Sequence, residues 1–123
     1  MKLLLFGNPA LPSDNLAIKV GKGLEKDGHS ILHLENPLGL LELDLNDYVI
    51  LDVAYGIEKV ILIDDVDKLV LGRLCSLHDF DMAYFLKLLR RLGKLKKVRI
   101  LAIPQGMTVT KALPAVRSLL HNL

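Results

Sequence analysis

Leu3-Leu4-Leu5-Phe6-Gly7-Asn8-Pro9 decides how the rest of the chain is read. The apolar run is too short for the hydrophobic region of a signal peptide, even with Lys2 in front of it. Lacking polar alternation, it fits a strand buried on both faces, as inside a parallel sheet. Similar runs return downstream. Ser30 to Leu34 reads as a second strand, Tyr48 to Val53 as a third, Lys59 to Ile63 as a fourth, and Val98 to Ile103 as a fifth stopped by Pro104. Gly56 turns the chain so soon after the third that the third and fourth read as antiparallel hairpin partners.

Helical patterns fill the intervals. From Asp14 onward, Leu16, Val20 and Leu24 recur at helical spacing, and Gly28 supplies a stop. Pro37 and Gly39 break the chain before a brief Leu-rich segment. Ser76-Leu77-His78-Asp79 fits the Ser-x-x-acid start of a helix, in which Ser76 would accept from the amide of Asp79. The helix expected there has an apolar face of Met82, Phe85, Leu86, Leu89 and Leu92, and Gly93 ends it. Asp79 and Asp81 at its start and Arg90, Arg91 and Lys94 at its end complement the helix dipole. Thr110 to Leu120 forms a closing helix, with Pro114 tolerated near the first turn. The expected fold is an α/β three-layer sandwich: a mainly parallel five-stranded sheet with one antiparallel strand and helices on both faces.

A chain of 123 residues predicts a single domain over 1–123, since two would each be undersized. With 51% hydrophobic and 24% charged residues, disorder is excluded. Charges interrupt every apolar stretch before it reaches the length of a membrane span, so a soluble protein is expected. Cys75, the single cysteine, cannot build an internal disulfide and suits a reducing cytoplasm. A net charge of +2 implies neither a nucleic-acid nor a membrane partner.

Three polar residues stand where such a fold collects ligands: Asp14 after strand one, Asp52 at the end of strand three, and His78 opening the long helix. Two carboxylates and an imidazole can hold a borderline divalent ion and leave positions open for substrate or water. Each also has a plainer explanation. Asp14 can cap the first helix, and His78 can be an ordinary residue of a helix first turn. Asp52 is harder to dismiss, because a carboxylate ending Tyr48-Val49-Ile50-Leu51 is costly to bury unless paired, hydrogen-bonded or coordinated.

Leu3 to Pro9 followed by Asp14 and a helix resembles the opening of the hydrogenase maturation proteases, where Gly-Asn-Pro precedes a pair of acids. Val49-Ile50-Leu51-Asp52-Val53-Ala54 is similar to that family's apolar strand ending in an aspartate, and Ser76-Leu77-His78-Asp79 to its Ser-x-His helix start. The likeness continues through Val98 to Gln105 and Thr110 to Leu120. It implies a cytoplasmic endopeptidase that removes the C-terminal extension of a nickel-loaded hydrogenase large-subunit precursor. Asp14, Asp52 and His78 would coordinate nickel supplied by that substrate, and other divalent ions could occupy the same site. Either a carboxylate acting as general base or the metal would activate the water, and metal-assisted hydrolysis is favoured. A monomer is expected. Ser13 stands where the first family acid would be, Asn15 where a glycine follows the second, and Glu35 to Gly39 where members carry an acidic, Gly- and Thr-rich loop. These departures keep two alternatives open: a non-proteolytic, metal-sensing binding module for a hydrogenase subunit, and an unrelated metal-dependent hydrolase.

Other signals are weaker. Arg90, Arg91, Lys94, Lys96, Lys97 and Arg99 form the most basic segment. A solvated helix end is the simplest explanation and docking to an acidic surface the next, while the lack of interleaved aromatics argues against nucleic acid. Cys75 and His78 could make a thiol-imidazole pair, although an inert packed cysteine is the simpler reading. His29, His33 and His121 are too scattered for a zinc site. Gly21 and Gly23 lie inside the first helix and point to close packing against the sheet. Asp64, Asp65 and Asp67 read as solvated turn carboxylates.

Overall fold

The computed structural model describes residues 1–6, 12–34, 39, 42–65, 75–76 and 82–123, with the backbone alone described at 6, 12–14, 55, 75–76 and 82–85. Its elements in chain order are β1 (Lys2–Phe6), α1 (Pro12–Lys26), β2 (Ser30–Leu34), a 3-10 turn (Leu45–Asp47), β3 (Tyr48–Tyr55), β4 (Ile61–Ile63), β5 (Cys75–Ser76), α2 (Met82–Arg91), β6 (Ile100–Pro104) and α3 (Val109–His121). The sheet order is β2-β1-β3-β6-β4, with the two-residue β5 pairing to the far end of β3. The β1–β2, β1–β3 and β3–β6 pairs are parallel, and β4–β6 and β3–β5 are antiparallel.

The uninterrupted apolar runs become strands because both faces of the sheet are covered. Leu3, Leu4 and Leu5 are all at most 2% exposed. Odd positions of the central strands, including Leu3, Leu5, Val49, Leu51, Val53, Leu101 and Ile103, pack with Ala17, Val20 and Leu24 of α1 and Ala112, Val116 and Leu120 of α3. Even positions, including Leu4, Ile50, Ala54, Ile100 and Ala102, pack with Leu86 and Leu89 of α2 and with Leu45, Leu95 and Val98. The α/β sandwich therefore has helices on both faces, as its alternating patterns predict.

Three expectations are corrected. The fourth strand is antiparallel, but its partner is β6, with Ile61 opposite Ala102 and Ile63 opposite Ile100. It does not form a hairpin with β3, because β6 occupies that edge of β3 from Ile50–Ile100 to Ala54–Pro104. Leu92 does not join the apolar face of α2: it is 58% exposed, one residue past the last helical position. Pro114 lies in the second turn of α3, after Val109, Thr110, Lys111, Ala112 and Leu113. Pro114 has no N–H to return to the carbonyl of Thr110, and both residues are exposed, so water can satisfy that carbonyl without breaking the helix.

The glycines expected to end helices do so. Gly28 and Gly93 follow α1 and α2 with φ of +97° and +73°, the left-handed geometry that ends helices cheaply at glycine. The amides of His29 and Lys94 donate back to the carbonyls of Leu24 and Leu89, closing each last turn. Gly21 lets α1 approach β1 closely, since a Cβ there would sit 2.5 Å from Leu5 Cδ1. Gly23 serves a different contact, facing Leu113 of α3 and not the sheet. The start proposed for the second long helix at Ser76 to Asp79 lies mostly outside the described residues. Ser76 itself pairs with Ala54 in β5, and the described helix begins at Met82.

Candidate functional site

Helix α1, which follows β1, packs on the odd-residue face, whereas α2, which follows β3 and the short β4 and β5, packs on the other. Neighbouring parallel strands whose following helices diverge in this way open a crevice at their carboxyl ends, the place where open α/β sheets bind ligands. By that rule the strand order places the switch point between β1 and β3.

Asp52 stands beside it. It is the fifth residue of β3, so it lies inside the strand and not at its end, a correction to the sequence expectation. The strand continues because Val53 and Ala54 still pair with Ile103 and Pro104 of β6, and Ala54 and Tyr55 with β5. On its other flank the last β1 partner is Leu5 opposite Leu51, so Asp52 falls one residue beyond that pairing. Lying between Ile50 and Ala54, its side chain points to the face covered by α2.

At 5% exposure Asp52 is the single buried charged or polar side chain among the described residues. Its Oδ1 accepts the backbone N–H of Val53 at 3.0 Å. A carboxylate has room for several such donors or for a cation at its oxygens, and a buried one requires them.

The other two predicted ligands are described less fully. Asp14 lies in the first turn of α1, at the carboxyl edge of the sheet, and its side chain lies outside the described residues. His78 lies wholly outside them, as do Asp67 and the Glu35 to Pro37 part of the expected substrate loop. Among the described residues no group of three or more His, Cys, Asp or Glu could hold a metal ion. Asp64 and Asp65 line a pocket of about 60 Å³ together with Arg90 and Lys96, which places cations beside them.

Sequence reading missed a second feature of the carboxyl edge, a cleft of about 540 Å³ between the start of α1 and the β6–α3 connection. Asn15 and Lys19 line it from α1, and Gln105 and Thr108 from the connection. The loop is held at both ends: the Gln105 amide donates to the carbonyl of Ala54, and the Thr108 hydroxyl caps α3 by accepting from the Lys111 amide. The signal available in the sequence was a strand-ending Pro104 followed by Gln-Gly and a threonine three residues before a lysine.

No described helix is long and apolar enough to cross a membrane. Comparisons with protein-family models, curated proteins and solved structures gave no match for this chain.

Proposed function

We propose that this chain is an endopeptidase of the hydrogenase maturation type, removing the C-terminal extension of a nickel-loaded large-subunit precursor in the cytoplasm. The observation that supports this reading best is a buried carboxylate, Asp52, beside the crevice where β1 stops and β3 runs on. Asp14, in the first turn of the helix that follows β1, belongs to the same edge of the sheet. A carboxylate at this edge can lend an oxygen to a cation carried in by a substrate.

On this reading Asp52 supplies an oxygen donor to the substrate's nickel, with Asp14 and His78 completing the set. The nickel arrives with the substrate and is not resident in the peptidase. Hydrolysis is metal-assisted: water adds to the scissile carbonyl, the C–N bond breaks, and the released amine takes up a proton. The 540 Å³ cleft lined by Asn15 and Gln105, on the same carboxyl edge of the sheet, offers room for polypeptide.

The test is to incubate the protein with a nickel-loaded, unprocessed large subunit and read the subunit's mass. Loss of the extension with the parent chain, and none with Asp52→Asn, is the expected result. An unchanged mass with the parent chain overturns the peptidase reading; stable binding without cleavage would then indicate a metal-sensing module. A metal held tightly by the purified chain, seen by elemental analysis, would instead indicate an unrelated metal-dependent hydrolase.

A further inference from the structure

The opposite edge of the sheet carries a feature that the proposed peptidase chemistry does not use. Between Leu86 and Arg99 the chain has seven cations, Lys87, Arg90, Arg91, Lys94, Lys96, Lys97 and Arg99, and no acid. The segment comprises the second half of α2 and the connection to the start of β6, so it lies at the amino end of β6, away from the crevice. Leu95 and Val98 are buried and pin the connection to the core, which leaves Lys94, Lys96 and Lys97 in solvent.

The connection is also built to hold its shape. Asn46, from the turn before β3, accepts the backbone amides of Lys96 at 2.9 Å and Lys97 at 3.1 Å on a single oxygen. Its amide nitrogen donates to Asp44 Oδ1 at 2.9 Å and reaches the carbonyl of Lys94 at 3.4 Å. A loop fixed from across the fold loses less entropy when a partner docks than a mobile one would.

Acids approach this end but do not cancel it. Asp64 and Asp65 share a small pocket with Arg90 and Lys96, and Asp44 and Asp47 flank Asn46. Seven cations less four acids leaves +3 here, while the remaining nine cations and ten acids give −1. Among the described residues grouped here, positive charge therefore exceeds negative. Leu88 and Leu92, one helical turn apart on the outward stripe of α2, are 37% and 58% exposed within it.

We propose that the outward stripe of α2 and the Asn46-clamped connection after it form a docking surface for an acidic segment of a partner protein that also carries apolar side chains. Isolated exposed leucines are ordinary, but two leucines framed by cations match a partner that offers both apolar contact and negative charge. A nucleic acid fits less well: residues 86–99 include no aromatic side chain for base stacking, and Leu88 and Leu92 would gain nothing from a phosphate backbone.

The probe is a synthetic helix-forming peptide of glutamate and leucine, with single-stranded RNA of similar length beside it, followed by fluorescence anisotropy against the full chain. The peptide is expected to bind more tightly than the RNA and to weaken as salt rises. The double substitution Lys94→Glu with Lys97→Glu should lower its affinity by about tenfold or more, and Leu92→Ser by a few fold. These side chains are exposed, and an unchanged unfolding midpoint confirms that the variants fold; Lys94→Gln with Lys97→Gln serves if charge reversal perturbs it. Tighter binding of RNA, no binding of the peptide, or equal peptide affinity in parent and variants would each overturn the proposal.

Discussion

The two faces of the sheet are closed in different ways. On the face covered by α1 and α3, every buried side chain among the described residues of the core is apolar, and two helices meet across Gly23 and Leu113. The face covered by α2 holds the buried Asp52 and relies on the Asn46 clamp to fix the turns around its rim. The first face is built for stability, whereas the second spends some of its apolar area on polar groups that an efficient core would omit. Function in an α/β sheet concentrates where packing rules are broken in this way.

Substitutions should separate the faces by size of effect. Leu51→Ala, on the α1–α3 face at 0% exposure, should cost about 2–5 kcal/mol in urea unfolding through lost burial and the cavity left behind. A markedly smaller loss would mean that this face is loosely packed. On the other face, Asn46→Ala should cost about 1–2 kcal/mol by releasing the Lys96 and Lys97 amides, whose hydrogen exchange should quicken while that of Leu51 stays slow. Asp52→Asn keeps an oxygen for the Val53 N–H, so stability should change by about 1 kcal/mol or less even as processing disappears. A large stability loss with processing intact would make Asp52 a structural acid.

The smallest effect belongs to the surface ion pair that ties the α1–β2 turn to α3, where Arg117 Nε lies 2.6 Å from Asp27 Oδ2. The hydrogen bond from Arg117 holds the Asp27 carboxyl below its ordinary value of 3.8. A carboxyl depressed in the folded state contributes stability above its unfolded pKa and loses it as pH falls through the folded one. Arg117→Gln should therefore be slightly less stable than the parent at neutral pH, with the gap closing in acid below about pH 4. Chemical unfolding across that range would show it, and a gap independent of pH would contradict the assignment.

What could be read from the sequence follows from what apolar runs encode. Leu3 to Phe6 announces a strand because burial on both faces demands unbroken hydrophobicity, and the structure places a strand there and another at Ser30 to Leu34, an edge strand with Ser30 and His33 exposed. Such runs do not name their neighbours: proximity points β4 to β3, whereas it belongs to β6. A carboxylate closing the apolar run Tyr48 to Leu51 reads as standing at a strand end, whereas pairing of Val53 and Ala54 carries β3 past it. Helical spacing alone puts Leu92 on the core face and does not reveal that the helix ends at Arg91. Asn46 left no trace, since its bonds reach residues 48 to 51 positions away and a lone asparagine in a turn promises only local capping. Of the candidate site, the carboxylate at Asp52 was legible as a costly burial; its meeting with Asp14 and His78 rests on parts of the chain outside the described residues.

The seating of β4 beside β6 orders events during folding. Ile61 to Ile63 leave the ribosome long before Ile100 to Pro104, and among the described residues their only pairing in the sheet is with that later strand. Until β6 has been made, these three residues have no partner among the described strands, and a nascent chain stalled before Ile100 would display an unpaired strand to its surroundings.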